Sequence, residues 1–600
     1  MRRAVLLAGL FALGCGDDTT VEMRIVPEIL SVTATSPQVV GTRLELTATN
    51  LDSAGESPTL RVLPTSVSLA LAERTEAGAA FAVDAALLAA LGNGAHEVEL
   101  VLEGAGAISE AFPFRLDLAE TLPIDLARVP SGSVFRNEEA ILEGEGFLED
   151  AEGEVEALVV GEFTADATVP VDVVLPVRLA EEGQRSRGTL LLTTAIGGPE
   201  PGTFEGTIAL RSTQVGATPQ TTDPLSTTLD FQPPAVFEVS PENVTPEQLV
   251  RVRGAGFLFG EDQVTLLRAE GMLTPEGGSA TPIPATEIVL GAVSGSELVG
   301  PLRAVLQDDR LVYELFGVAR GRFEGTILPI AIEGDVEVTG DSAPITLVLG
   351  APKQVVWLRF LPGFYDSLAL FGLGAAAGSI EELVAERVRG VFAEWNVEVR
   401  LVEPDDYSVS GYSVVEIGGA DPNGRGLFGY DNTPGKDVGN LRLFDAIGGA
   451  NAETQRDGFP GYGGVFVESL LGFSEDPPPG LGAGPEPDPL FDEIFAPVRD
   501  QAATVGEVRG EGERAAVVAR ALRALAGVIG ETTAHELGHS FGLADPLGSR
   551  TVFHNPGDQP GCLMDTGNAR PFGERAEEPG FAATQLCGDA PAYMTTILPR

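Results

Sequence analysis

An internal repeat limits what the first part of the chain can fold into. The stretch "ILEGEGFLED" at residues 141–150 returns as "VRGAGFLFGED" at 252–262, and "GTFEGTIAL" at 202–210 returns as "GRFEGTILPI" at 321–330. The two pairs are offset by 110 and 119 residues. A structural unit of about that length therefore occurs at least twice.

A weaker copy precedes these two, with "GTRLELTATNLD" at 41–52 and "GAHEVELVLEG" at 94–104 in corresponding places. Short β-branched and apolar runs, broken by Gly, Pro, Asn and Asp, continue to about residue 349. Alternation such as Leu44, Leu46 and Ala48 is typical of strands with one buried face. We therefore expect three all-β sandwiches, whose predicted ranges are 28–117, 118–233 and 234–349.

The G-x-G-F element of the repeats resembles the immunoglobulin-like domains of the IPT/TIG kind found on cell surfaces. We expect its glycines to sit at a turn or bulge and its phenylalanine to fill the space between the sheets. A generic immunoglobulin-like spacer is preferred to a ligand-binding role for these units. His96 stands alone among strand residues and is expected to be a surface or packed residue.

The pattern changes near residue 351. A strand, "KQVVWLRFL" at 353–361, precedes a helical stripe in "SIEELVAERVRGVFAEWN" at 379–396, where Ser379 and Glu382 suggest a capping box. Two more strands are predicted at 397–403 and 413–419. Strand, helix, strand, strand favours an α/β (α+β) domain over residues 350–600.

Near the end of the chain, "TTAHELGHSFGLADP" places two of only four histidines four residues apart. Helical spacing upstream predicts a helix here, and residues four apart on a helix share one face. His535 and His539 can then aim two imidazoles at one Zn²⁺ ion, while Glu536 reaches the bound water as general base and acid. This is the H-E-x-x-H arrangement of zinc peptidases.

The third metal ligand has two candidates. Gly542 can end the helix in the left-handed conformation and turn the chain back, which would bring Asp545 to the metal. His554, nine residues later in "TVFHNPGD", is the alternative. We favour Asp545 because of its position after the glycine.

The stretch "HELGHSFGLAD" resembles the extended zinc motif of the metzincin metalloproteases, in the variant with aspartate in place of the third histidine. The resemblance implies a methionine turn under the metal, which Met564 in "CLMDTG" supplies, and no tyrosine follows it closely. It also implies a substrate cleft bounded by an edge strand, for which "YGGVFVESLLG" at 462–472 is the candidate. An extended peptide would pair with that strand.

The N-terminus, "MRRAVLLAGLFALGCGDD", has the basic residues, short apolar run and small residues of an export signal over 1–14, followed by a linker over 15–27. It resembles a bacterial lipoprotein signal, which implies cleavage before Cys15 and a lipid anchor on it; ordinary secretion is the alternative. The expected location is the cell envelope, as an outer-membrane or surface lipoprotein. In an oxidising compartment Cys562 and Cys587 either form a disulfide or remain two thiols.

The formal net charge of −50 argues against a nucleic-acid partner. The loop over 419–440 offers calcium ligands, but it lacks EF-hand spacing, so solvated turns are preferred there. Its candidate ligands are Asp421, Asn423, Asp431 and Asp437.

The sequence thus predicts a lipid-anchored zinc endopeptidase acting on protein or peptide substrates. A surface binding or adhesion lipoprotein with a structural zinc is the alternative. Self-processing at the proline-rich stretch after Phe473 is a third possibility.

Overall fold

The computed structural model describes residues 26–600 apart from 75–77, 303, 306–310, 313–319, 434–442, 453–459, 482–483, 544–552, 556–558 and 568–569. The chain divides into two units, one ending at Gln232 and one beginning at Pro233. Most of the described chain is β-sandwich, as the repeat predicts.

The first unit contains two β-sandwich domains. In the first, the strands enclose a core that includes Leu44, Phe81 and Leu100, and one short helix spans Ala85–Leu91. Its strands are Glu28–Thr33, Arg43–Thr49, Thr59–Leu63, Val67–Arg74, Gly78–Ala82, Gly94–Gly104, Ala107–Ile108 and Phe112–Leu118. The strands of the second are Asp125–Arg128, Gly132–Val134, Glu139–Glu145, Gly153–Thr164, Thr168–Leu179, Arg187–Leu191, Gly202–Gln214, Gln220–Thr221 and Leu225–Phe231.

The repeated G-x-G-F element does what its sequence predicts. Phe147 is buried in the core of the second sandwich, and Gly146 before it has φ +79°. A Cβ on Gly144 would lie 2.1 Å from the carbonyl oxygen of Asp125 on the paired strand, where the register shifts. A glycine is therefore required at the irregularity, and the phenylalanine closes the core above it.

The third sandwich opens the second unit. A four-stranded sheet packs over the larger sheet, and Phe257 and Phe323 lie fully buried between them. The smaller sheet has Ala235–Ser240, Val250–Ala255, Gly291–Ser294 and Glu297–Gly300. The larger has Asn243–Val244, Gln263–Pro275, Thr281–Val289, Ala304–Val305, Leu311–Val312, Gly321–Glu333, Val336–Thr339 and Ala343–Leu349.

The rest of the second unit is a mixed sheet with helices, which is the predicted change of class. The strands follow the order Val397–Arg400, Gln354–Phe360, Tyr412–Gly418, Gly461–Phe466, Gly429–Tyr430, and two short strands, Ala446–Ile447 and Gly449–Ala452, pair with the third and fourth of these. Its α-helices are Pro362–Leu370, Ala377–Val391, Pro489–Asp500, Val505–Val508, Ala515–Ser540, Phe572–Arg575 and Ala590–Ile597. Its 3₁₀ helices are Gly374–Ala376 and Val467–Phe473.

Two local predictions in this region are wrong. The capping box at Ser379 is absent, because a 3₁₀ turn leads into the helix Ala377–Val391 and leaves Ser379 inside its first turn. The strand predicted over 462–472 stops at Phe466, and the chain continues as the 3₁₀ helix Val467–Phe473. That stretch is buried on all sides, and a helical turn buries Leu470, Leu471 and Phe473 together where a strand would alternate.

The third sandwich and the mixed-sheet region are joined by hydrogen bonds. The hydroxyl groups of Thr245 and Tyr407 are 2.7 Å apart, and Tyr407 is buried. The Ser408 amide donates to the Glu247 carbonyl at 2.9 Å, and the Leu249 amide donates to the Asp406 carbonyl at 2.8 Å. Among the described helices, none is long and apolar enough to cross a membrane.

Candidate metal centre

The helix Ala515–Ser540, called the motif helix below, carries the two histidines of the H-E-x-x-H sequence. It runs through the core, and nearly every residue from Ala524 to Leu537 is buried. It ends as predicted at Gly542, which has φ +78°. The amide of Leu543 donates to the Gly538 carbonyl at 2.8 Å, a bond that closes the helix end.

Three imidazoles converge at the end of this helix. The ring centres of His535 and His539 are 4.8 Å apart, and the ring of His554 lies 5.3 Å from the first and 5.1 Å from the second. One ring nitrogen from each lies within 4.8 Å of the others. Among the residues that the structure describes, these three histidines form the group whose ligand atoms lie close enough together to hold a metal ion.

The orientation of His535 is fixed by a hydrogen bond. Its Nδ1 lies 2.6 Å from the carbonyl oxygen of Leu563, so we assign the ring proton to Nδ1, which donates to that oxygen. The lone pair of Nε2 is then left for a metal, an arrangement typical of metal-bound histidines.

All three imidazoles are held neutral. Burial, reinforced by the charge of His554, lowers the pKa of His535 to about 3. Burial likewise lowers the pKa of His539 well below its usual value, and it lowers the pKa of His554. A neutral imidazole is the form that binds a metal ion, so the site is prepared for ligation at neutral pH.

Glu536 is buried beside the histidines. Burial is the main cause that raises the pKa of its carboxyl to about 8, and the negative charge of Asp431 adds to the effect. The backbone N–H of Asp431 donates to this carboxylate and opposes the shift. A Cβ on Gly429 would lie 2.4 Å from Oε1 of Glu536, so only glycine lets the strand Gly429–Tyr430 pass this close.

Met564 lies against the motif helix between the two histidines. A Cβ on Gly538 would be 2.3 Å from its Sδ, so the glycine makes room for the sulfur. The Asn555 amide donates to the Met564 carbonyl at 2.9 Å, which ties the residue after His554 to this turn. The predicted methionine turn thus meets the helix at Gly538.

The turn is braced from outside the site. The structure has a disulfide between Cys562 and Cys587, with Cα atoms 5.6 Å apart. The Leu563 amide also donates to the Gln585 carbonyl at 3.0 Å. The carbonyl that orients His535 therefore belongs to a segment held by a covalent bond.

Several sequence predictions fall elsewhere. Asp545, the favoured third ligand, lies outside the described residues, as do Cys15, the signal segment 1–14 and Asp437. His96 is partly exposed, and its Nε2 is 3.0 Å from the Gly92 carbonyl. In the loop over 419–440, where solvated turns were preferred to a calcium site, the Asp421 carboxylate accepts the backbone N–H groups of Asn423, Arg425 and Leu427.

The predicted edge strand is also corrected. The strand Gly461–Phe466 has a parallel neighbour, Tyr412–Gly418, and antiparallel neighbours, Gly429–Tyr430 and Gly449–Ala452. In the described sheet order, Gly429–Tyr430 comes last. The sequence alone places that segment in the loop over 419–440, because two strand residues among glycines give no alternating pattern.

Sequence reasoning also missed a group of buried charges behind the site. Glu531, one turn before His535, is fully buried and paired with Arg570. Glu574 and Arg575 are buried next to them. Glu531, a charged residue inside the apolar run of the motif helix, is the one sequence feature that points to these buried charges. The segment after Met564 has the composition of an ordinary charged surface.

Comparison with known proteins gives no family assignment. No protein-family model and no curated protein matches the chain. Among solved structures, the FN1–FN3 domains of chicken CNTN1 match at 10% identity and TM-score 0.16, over 54% of this chain and 98% of that one. SGBP-B of Bacteroides uniformis matches at 14% identity and TM-score 0.17, over 54% and 100%. At these scores the likeness carries no argument, and the β-sandwich class rests on the sheets themselves.

Proposed function

We propose that this protein is an exported, lipid-anchored, zinc-dependent endopeptidase. The observation that carries the proposal is the convergence of His535, His539 and His554 beside the buried Glu536. Two of these imidazoles come from one rigid helix, and the third comes from the segment that leads into Met564. Surface histidines that are merely solvated have no reason to be desolvated together.

The donor set fits zinc. Zn²⁺ takes three protein ligands in catalytic sites and leaves a fourth place for water. Ring nitrogens about 2.0–2.1 Å from a tetrahedral ion lie roughly 3.3 Å apart, so the histidine nitrogens, now within 4.8 Å of one another, need a small closure. His554 is the third ligand in this proposal, and Asp545 remains the alternative.

Bound zinc would supply Lewis acidity and lower the pKa of a water molecule to about 7. Glu536 would accept the proton of the attacking water and donate it to the leaving amine. The N–H of Asp431 orients the carboxylate for this role. The strand Gly429–Tyr430 offers an extended peptide a place to pair next to Glu536.

The location of the protein belongs to the same proposal. Export and a lipid on Cys15 are inferred from the N-terminal segment alone. The β-sandwiches would then hold the peptidase away from the membrane or present it to a protein substrate.

The decisive test combines metal content with proteolysis. Purified protein is expected to carry one zinc per chain, to cleave casein and to lose that activity with a chelator. Glu536→Gln, which keeps the shape of the side chain, should keep zinc and lose more than a hundredfold in kcat. Wild type that is equally active in chelator would contradict the proposal.

The third ligand is assigned by two further variants. His554→Ala should lose zinc, whereas Asp545→Ala should retain it if the three histidines are the ligands. The opposite pattern would restore Asp545 as the third ligand and leave the peptidase proposal intact. His96→Ala is the matched control, because His96 lies in the first sandwich, far in sequence from the candidate site.

A surface binding lipoprotein with a structural zinc is the second candidate. The three sandwiches favour it, since they make up most of the chain. Full binding of a surface partner by residues 26–349, with no peptidase activity in the whole chain, would support it. Self-processing would require shortened chains in active preparations, which mass spectrometry can detect.

A further inference from the structure

A group of buried charges separates the motif helix from the chain that follows Met564. It consists of Glu531 on the helix and of Arg570, Glu574 and Arg575, all at most 4% exposed. Buried charges are stable when each is paired and hydrogen-bonded. The two arginines differ sharply in this respect.

Arg570 is well compensated. Its guanidinium donates to the carboxylates of Glu531 and Glu574, the latter at 2.8 Å, and it lies 3.4 Å from the Leu563 carbonyl. This arginine holds the helix, the turn and the short helix Phe572–Arg575 together. Its role is structural.

Arg575 is poorly compensated. One terminal nitrogen donates to the Gly567 carbonyl at 3.1 Å, and the other lies 3.9 Å from Glu531, beyond hydrogen-bond distance. Its Nε, like Oε2 of Glu531, has no hydrogen-bond partner among the described residues. A guanidinium has five N–H donors, and burying them unused is unfavourable.

The guanidinium of Arg575 packs against the segment that passes Glu536. Its central carbon is 5.3 Å from the centre of the Phe428 ring, and Phe428 directly precedes Gly429, whose Cβ would touch Glu536.

We propose that Arg575 recognises substrate by binding a carboxylate of the peptide beside Glu536. This inference rests on the proposed peptidase function. A guanidinium binds a carboxylate through two parallel N–H···O bonds, and an arginine with unused donors in a desolvated place is suited to do so. The carboxylate comes either from an Asp or Glu side chain or from a free C-terminus.

The test uses the zinc-loaded full chain and matched peptides. Each peptide carries Glu or Gln at one position near the scissile bond, and each is made with a free or an amidated C-terminus. Wild type should cleave the carboxylate-bearing member with a kcat/KM about ten- to a hundredfold higher. The Glu against Gln arm and the free against amidated arm identify the source of the carboxylate.

Variants assign the preference to the residue. Arg575→Met should remove the preference, whereas Arg575→Lys should keep part of it. Arg387→Met, which removes a half-buried arginine paired with Glu577, is the control and should leave the ratio unchanged. Circular dichroism and zinc content establish that each variant is folded and loaded.

Two results would overturn the inference. One is equal kcat/KM for the Glu and Gln peptides and for both C-termini in wild type. The other is an unchanged ratio in Arg575→Met, since a purely structural residue alters all rates together. If wild type cleaves no peptide, the peptidase proposal fails, and the role of Arg575 is judged by the binding ratio of the same peptides to zinc-loaded Glu536→Gln, measured by calorimetry.

Discussion

At the scale of single residues, Gly538 has a role that its place inside the H-E-x-x-H helix hides. Alanine normally stabilises a helix by roughly 0.5–1 kcal/mol relative to glycine. Here the added methyl would lie 2.3 Å from the sulfur of Met564. Overpacking of this kind costs about 1–3 kcal/mol, so Gly538→Ala should lower the free energy of unfolding. Denaturant unfolding of the variant measures it.

Gly390→Ala is the matched control for that variant. Gly390 lies in the helix Ala377–Val391, is exposed, and has open space where a Cβ would be. Gly390→Ala should therefore stabilise the protein by roughly 0.5–1 kcal/mol, whereas Gly538→Ala should destabilise it. Combining Gly538→Ala with Met564→Ala should recover more than about 0.5 kcal/mol relative to the sum of the single changes. Equal stability of the two glycine variants would show that the sulfur yields freely.

How well the sequence alone predicts the residues of the candidate metal centre depends on how far apart they are in the chain. Spacing alone predicts that His535, Glu536 and His539 lie close together, because one helix carries all three. The order of preference between Asp545 and His554 could not be settled in that way, because the path between them depends on tertiary contacts. The sequence did not link Asp431 or Arg575 to Glu536, because both come from distant parts of the chain.

At the scale of elements, sequence periodicity was a good guide where one face is buried. The helix Ala377–Val391 buries Ile380, Val384 and Val388, which belong to the predicted stripe. It failed for the 3₁₀ helix Val467–Phe473, where burial on every side removes the periodic signal. Phe473 illustrates the cause, because its ring packs against Phe491 and Phe572 from two helices and against Phe428, which precedes the strand Gly429–Tyr430.

The disulfide is the element that holds the turn before Met564, and its removal is a second prediction. The bond closes a loop with a sequence separation of 25, and the double variant Cys562→Ala, Cys587→Ala should lose about 2–4 kcal/mol of stability. The Leu563 carbonyl, which orients His535, follows Cys562 directly. Zinc affinity, measured by competition with a chromophoric chelator, should therefore fall with it.

Reductant provides the control for the disulfide. It should lower the melting temperature and zinc affinity of wild type to the values of the double variant, and it should leave the variant unchanged. Wild type that is insensitive to reductant, in melting and in metal binding, would mean that hydrogen bonding to Gln585 holds the turn without the covalent bond.

At the scale of the whole molecule, the third sandwich is more than a spacer before the mixed-sheet region. The turn that contains Thr245 and Glu247 is hydrogen-bonded to Tyr407 and Ser408, and Tyr407 is buried. Arg400 also pairs with Asp406, the residue before Tyr407. The division of the chain before Pro233 agrees with this bonding, since both parts lie in the second unit.

The last prediction concerns fragments of the chain. Residues 233–600 should fold alone and retain the zinc and peptidase activity of the full chain, because the metal centre and its bracing lie within that range. Residues 351–600 should melt at a lower temperature, because Tyr407 loses its partner and is exposed to water. Thermal unfolding followed by circular dichroism, with zinc content measured on the same samples, distinguishes the two.

Tyr407→Phe in residues 233–600 removes the hydroxyl alone and should cost about 1 kcal/mol, which separates the contribution of the hydrogen bond from that of burial. Equal melting temperatures for the two fragments would mean that the third sandwich contributes nothing to the stability of the mixed-sheet region.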